Sequence, residues 1–267
     1  MAAPFDQIHS RDNPLVKRIR SLQRSAVRNQ ERAFFVEGLR AVNDAFAAGI
    51  APELLVLSED FDIQRVSVSP VSVSTRTLSK ALFNELSDTA TPQGIMAIVP
   101  MQFIPPGPAD PTLTVIADGI SDPGNLGTLL RSCAGAGVTA VYLAGHAVDP
   151  YNPKVVRAAM GAHFKVPVDR LDPSYTALFP IETAVVATYA GSSLAYDQVD
   201  MTGPTVIIVG SEATGVSDAL SRSATATVSI PMASNMESLN AAIAGSLLVF
   251  EAQRQRRNQR RNTAISA

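Results

Sequence analysis

Five apolar runs dominate the chain after residue 111: 112-TLTVIAD-118, 140-AVYLA-144, 184-AVVATY-189, 205-TVIIVG-210 and 226-ATVSIPM-232, with helix-compatible segments between several of them. A strand with one face in water alternates polar and apolar side chains, whereas a run that is apolar at nearly every position must be covered on both faces. The pattern therefore predicts an α/β domain built on a parallel sheet. It also gathers the loops at the carboxyl ends of the strands along one edge, where open parallel sheets bind their ligands. The closing segment, 238-SLNAAIAGSLLVFEAQRQRR-257, reads as a long helix that begins apolar and ends cationic, a polarity that suits the helix dipole.

Upstream, five prolines and one glycine in 100-PMQFIPPGPADP-111 interrupt any periodic pattern. This is the expected domain boundary: residues 1–100, a linker at 101–111, and residues 112–267. The first part reads as a basic helix at 14–32 with Pro14 in its first turn, apolar 33-AFFVEG-38, a helix at 39–49 and apolar 53-ELLVLS-58. A second helical piece at 75–87 and a strand at 94–100 complete a small α/β unit. With 46% hydrophobic and 17% charged residues over 267 positions, the chain has enough apolar surface for two such cores.

The net charge of −2 conceals an uneven distribution. Residues 1–40 carry eight basic against four acidic side chains, and 254-RQRRNQRR-261 carries five arginines and no acid, while the stretch between Pro108 and Phe250 is acidic. Basic ends on an acidic body suit a polymer of regularly spaced phosphates; solvated helix faces and a frayed tail are the plainer explanation. One cysteine, a beginning without the layout of a signal peptide and no apolar run long enough to span a bilayer lead us to expect a cytoplasmic protein without membrane attachment.

The loop 121-SDPGNLGTLLRSCAGAG-137 follows the first strand of the second part in the position of a nucleotide cradle. It lacks the third glycine of a dinucleotide fingerprint and the lysine of a P-loop. Ser121, Asp122 or Asn125 could cap the helix that follows, with Leu126, Leu129, Leu130 and Cys133 as its buried stripe and Arg131 outside that stripe, beside Thr128. Cys133 then belongs to the core. Two further loops, 210-GSEATG-215 and 230-IPMASNMESLN-240, have the same small polar character at strand ends. Glu212 and Glu237 have no histidine or cysteine at a ligand spacing, His9, His146 and His163 are scattered, and Ser211 and Ser238 have no evident histidine partner; neither a metal site nor a hydrolase triad is expected.

Together, 122-DPGNLGTLLRS-132, 205-TVIIVGSEATGVS-217 and 228-VSIPMASNMESLNAAIA-244 resemble the signature motifs of the SpoU (TrmH-type) RNA 2'-O-ribose methyltransferases of the SPOUT class. The stretch 149-DPYNPKVVRAAMGAHFKVPV-168 is similar to another common in that family, and 11-RDNPLVKRIRSL-22 with 33-AFFVEGLRAV-42 resembles the small RNA-substrate-binding domain often found in front of it. The resemblance implies an S-adenosylmethionine-dependent enzyme that methylates a ribose 2'-hydroxyl in structured RNA, ribosomal ahead of transfer RNA. The alternative is a non-catalytic RNA-binding protein on the same scaffold. It further implies a parallel-sheet domain with a deep trefoil knot, an L30e-like α/β domain before it, and a homodimer in which the first-motif arginine reaches the partner's site. Residue by residue, it assigns catalytic roles to Asn125, Arg131, Glu212, Ser238 and Asn240, and methyl-donor contacts to Thr188, Gly210, Ile230, Met232 and Leu239. Glu212 either shares in catalysis or anchors its own loop. Ala159, where serine is common, and Ala233-Ser234, where glycine is often seen, depart from the family pattern beside the site.

Overall fold

A computed structural model describes residues 6–67, 73–101, 112–172, 182–233 and 238–266. The chain divides into two compact units, residues 1–102 with 151–164, and residues 103–150 with 165–267. Most of the expected linker, from residue 102 to 111, lies outside the described residues.

The first unit runs β1 (Gln7–Ile8), α1 (Pro14–Ser21), α2 (Ser25–Glu31), β2 (Ala33–Glu37), α3 (Leu39–Ala47), β3 (Leu54–Ser58), β4 (Thr75–Leu78), α4 (Lys80–Leu86) and β5 (Ile95–Pro100). Its five-stranded sheet has the order β1-β4-β3-β5-β2, with β5 antiparallel to both neighbours and the remaining pairs parallel. Val16, Ile19 and Leu22 pack with Phe35, Val56, Phe83, Met96 and Ile98 in its core.

Two expectations for this unit need correction. The basic helix at 14–32 is two helices, because Leu22 ends α1 inside the core and Arg24 is extended. Arg28 replaces the missing helical bonds: its buried guanidinium donates to the carbonyl oxygens of Leu22 at 2.7 Å and Gln23 at 2.8 Å. The segment 75–87 is helical only from Lys80. Before it, Thr75–Leu78 forms β4, parallel to β3, with Thr75, Thr77 and Leu78 buried. Threonine at alternate positions favours a pleated strand, and the helical spacing of the apolar residues that follow masked it.

In the second unit every strand pair is parallel. The elements are β6 (Leu113–Asp118), α5 (Pro123–Ala136), β7 (Ala140–Ala144), β8 (Val168–Arg170), β9 (Ala184–Thr188), β10 (Thr205–Gly210), α7 (Asp218–Ser221), β11 (Ala226–Val228) and α8 (Ala241–Ser266). The sheet order is β11-β9-β10-β6-β7-β8, with Gly210 beside Asp118. Both faces are covered, as the continuous apolar runs require: Val206 and Ile208 pack with Ile116, Ala187 and Leu220, while Val209 meets α8 on the other side. Gly245 permits that approach, since a Cβ there would lie 2.6 Å from Leu129 Cδ1 and 3.1 Å from Val209 Cγ2.

Between β7 and β8 the chain passes through α6 (Pro153–Ala159) and a 3-10 turn at Ala162–Phe164, a segment that groups with the first unit. There the Phe34 ring lies 4.8 Å from that of Tyr151 and 6.3 Å from that of Phe164. This explains why successive residues of β2 are apolar: Phe35 faces the core of the first unit and Phe34 the returning segment. The strand at 226–232 ends at Val228, and the closing helix begins at Ala241 rather than 238 and continues to Ser266. Arg256, near its cationic end, is not a free tail charge, because its guanidinium donates to the carbonyl oxygens of Met201, Thr112 and Gly203. Among the described residues no helix is long and apolar enough to cross a membrane.

Replacing Arg28 by methionine is expected to lower the unfolding free energy by about 2 kcal/mol, since two buried carbonyls lose charge-assisted partners. Urea unfolding followed by far-ultraviolet circular dichroism measures this, the chain having no tryptophan.

Candidate active site

The carboxyl ends of β9, β10 and β11 and the residues leading into α8 enclose a cavity of about 520 Å3, well within the range of small-molecule sites. Thr188, Gly210, Ile230, Met232 and Leu239 all line it, as do Glu212 and Ser238. The walls are largely apolar side chains and backbone edges, a composition that suits a purine and an aliphatic chain better than a highly charged ligand. The Thr188 hydroxyl donates to the Ile208 carbonyl at 3.2 Å, so this side chain stiffens the strand end beneath the cavity.

The loop after β10 turns back sharply on itself. A Cβ on Gly210 would lie 2.1 Å from the Gly215 carbonyl carbon and 2.3 Å from the Val216 nitrogen, a backbone collision that no side-chain rotation relieves. Gly215 has φ +66° and donates to the Ser211 carbonyl at 2.9 Å, while the Ser211 and Thr214 hydroxyls are paired at 2.9 Å. Farther on, the Ser217 amide donates to the buried Asp118 carboxylate at 2.7 Å, tying the end of this loop to the end of β6.

Asp122 is the cap of α5, its Oδ1 accepting from the Asn125 amide at 2.8 Å. The Asn125 side chain is thereby available for another task. Its Nδ2 donates to Glu212 Oε1 at 2.8 Å, and its Oδ1 accepts from Asn240 Nδ2 at 2.8 Å. Glu212 Oε1 also accepts from the Ala241 amide at 2.9 Å, and Asn240 Oδ1 caps α8 by accepting from the amides of Ala242 and Ile243 at 3.0 and 3.2 Å. These bonds close a ring from Glu212 through Asn125 and Asn240 to the first turn of α8 and back. It fastens the loop after β6, the loop after β10 and the start of α8 beside the cavity.

Of the site residues assigned by the resemblance, all but Arg131 either line the cavity or belong to this ring. Arg131 is exposed on α5, six positions after Asn125, and is not among the residues lining the cavity. Glu237 and Ser234 lie outside the described residues. Cys133 is fully buried, and burial pushes its thiol far above the ordinary range, which suits the core role expected of it. Among the described residues no group of three or more histidine, cysteine or acidic side chains has a geometry suited to a metal ion. Sequence reasoning missed Tyr189, which is 64% exposed at the cavity, and Asp118; each is the last or next-to-last residue of an apolar run and so reads as sheet.

Residues 112–250 match the SpoU rRNA Methylase family, and residues 13–97 match the MRM3-like substrate binding domain. The chain belongs to the SpoU rRNA methylase family. It is 33% identical to the 23S rRNA (guanosine(2553)-2'-O)-methyltransferase RlmP of Bacillus subtilis, over 91% of this chain and 98% of that protein. It is 30% identical to the 23S rRNA (uridine(2479)-2'-O)-methyltransferase of Streptomyces viridochromogenes, over 86% and 85% of the two chains. The AdoMet-bound rRNA methyltransferase from Sinorhizobium meliloti has the same fold, with a TM-score of 0.84, 31% identity and coverage of 94% of this chain and 98% of that one. This SpoU protein is an RNA methyltransferase with S-adenosylmethionine as its methyl donor.

Two variants test the geometry. Glu212→Ala opens the ring and is expected to weaken S-adenosylmethionine binding by at least about tenfold. Glu212→Gln keeps an oxygen able to accept both N–H groups and is expected to stay within about threefold. Isothermal titration calorimetry separates the two. Gly210→Ala is expected to cost about 3 kcal/mol or more of stability through overpacking, read as a lowered Tm together with lost donor binding.

Proposed function

We propose that this SpoU protein transfers the methyl group of S-adenosylmethionine to a ribose 2'-hydroxyl of ribosomal RNA. The observation that carries this reading is the closed Asn125–Glu212–Asn240 ring beside a cavity at the strand ends. The two relatives described above are both 2'-O-methyltransferases of bacterial 23S rRNA, which supports the cytoplasm as the working compartment in this reading. The non-catalytic alternative would call for loss of Arg131 or Asn240, or a filled pocket; both residues and the cavity are present.

S-adenosylmethionine, when bound, supplies an electrophilic methyl group on a sulfonium. The chain's own residues have to hold the ribose hydroxyl in line with that group and exclude competing geometries. In our reading Thr188, Gly210, Ile230, Met232 and Leu239 hold the donor through backbone edges and apolar contacts. Ser238 offers a hydroxyl from the cavity wall. Asn125, Glu212 and Asn240 act as positioning residues that keep three loops in register. A guanidinium is a donor-only group and a poor base; in our reading Arg131 therefore clamps an RNA phosphate and the hydroxyl as a hydrogen-bond donor and is not the base.

A homodimer is part of this proposal. Ile243, Leu247 and Phe250 stay exposed at successive turns of α8, forming an apolar stripe suited to a two-fold contact. In this reading the exposed Arg131 of one subunit serves the site of the other. The family's deep trefoil knot and an L30e-like first unit complete the reading; the shared fold with the Sinorhizobium meliloti enzyme supports the first and the mixed five-stranded sheet the second.

The test is transfer of labelled methyl from S-adenosylmethionine to ribosomal RNA lacking modifications. A 2'-O-methyl removes the nucleophile of alkaline strand cleavage, so the methylated position appears as a gap in a hydrolysis ladder. Arg131→Ala is expected to lower kcat by about a hundredfold or more with unchanged donor affinity. Mixed dimers of Arg131→Ala and Glu212→Ala protomers are expected to regain activity that neither variant has alone. Label on a base, or no label in any ribosomal RNA despite donor binding, would overturn the reading.

A further inference from the structure

The first unit contains a second cavity, of about 390 Å3, that methyl transfer as described above does not use. Its apolar side is made by Phe35 of β2, Ala41 of α3, and Val156 and Met160 of the returning segment 151–164. Met160 holds a left-handed backbone conformation, φ +47°, and stays partly exposed despite its apolar side chain. That conformation ends α6, and it leaves the Met160 side chain at a solvent-facing cavity.

The polar side is held rigidly. Glu37 Oε1 accepts from the hydroxyls of Ser87 and Thr89, and its Oε2 accepts from the Asp88 amide at 3.1 Å. Asp88 in turn receives Arg157 Nη1, at 2.7 Å on Oδ2 and 3.0 Å on its carbonyl. Both acids are thus engaged. The Arg157 guanidinium uses only Nη1 in these bonds, is 46% exposed, and has N–H groups on Nε and Nη2 left to offer. Arg40, on the same cavity, is held only loosely, 3.9 Å from Asp44.

An apolar slot flanked by one fixed and one mobile guanidinium matches a ligand with a flat apolar body and an attached phosphate. We propose that this cavity receives one unstacked nucleotide of the RNA substrate, the base against Ala41, Val156 and Met160 and a phosphate on Arg157 and Arg40. Single-stranded RNA is read in this way, base by base, through apolar seats and arginine forks. The proposal rests on RNA being the substrate, and it gives the first unit a nucleotide-reading task.

The test uses the full chain with saturating S-adenosylhomocysteine and ribosomal RNA transcripts carrying 4-thiouridine, cross-linked by light and mapped by mass spectrometry. Cross-links to the peptides spanning 33–41 or 153–160 are expected. In parallel, Thr91→Trp obstructs the cavity from an exposed position, and Arg157→Gln removes the fork while keeping a donor for Asp88. Each is expected to raise the KM for RNA about tenfold, with donor affinity unchanged. Cross-links confined to other segments, or to a copurifying protein, together with unchanged KM in both variants, would overturn the proposal. If the wild-type chain transfers no methyl, the functional reading fails separately, and cross-linking still decides the cavity.

Discussion

One carboxylate oxygen holds the carboxyl edge of the sheet together. Glu212 Oε1 accepts from both the Asn125 side chain and the Ala241 amide, joining two strand-end loops to the first turn of the last helix. Parallel sheets bring their loops to one edge, but they do not fix those loops relative to one another, because each follows a different strand. A charged acceptor satisfied by donors from two elements supplies that constraint at the cost of ordering a single side chain. Asn240 closes the circuit by capping α8 with one end of its amide and holding Asn125 with the other. The cavity, the helix start and the loop carrying Asn125 are therefore parts of one object. These bonds are compatible with the anchoring role weighed for Glu212 and leave its part in catalysis to experiment.

The parallel sheet was legible because burial on both faces leaves an unambiguous mark, a strand without polar alternation. The site was legible through three short motifs, of which Asn125, Glu212 and Asn240 meet by direct hydrogen bonds. What could not be read depended on tertiary context. Thr75–Leu78 becomes a strand because β3 is there to pair with it. The break between α1 and α2 depends on Arg28 turning back onto two carbonyls, and a single arginine among many carries no signal of that. Asp122, Ser121 and Asn125 were equal candidates for the cap of α5, and the structure's use of Asp122 is what releases Asn125 for the site.

The segment 151–164 illustrates the limit of reading a chain as consecutive domains. It lies inside the stretch matched by the methylase family yet groups with the first unit, through the ring of Phe34 and the ion pair between Arg157 and Asp88. Apolar residues on both faces of β2 were visible in the sequence, but not that their second partner comes from more than a hundred positions later.

The cationic end of α8 changes meaning once its arginines are seen individually. Of the five between 254 and 261, Arg256 is committed to three carbonyls beneath the sheet, and Arg254 grips Glu251 with two bonds of 2.7 Å. Arg257, Arg260 and Arg261 remain exposed. Counterion release on a polyanion counts the charges that reach phosphates, not those in the composition. In ionic terms the tail is thus a trivalent arm on an arginine rivet, and its share of any salt dependence is smaller than its sequence advertises.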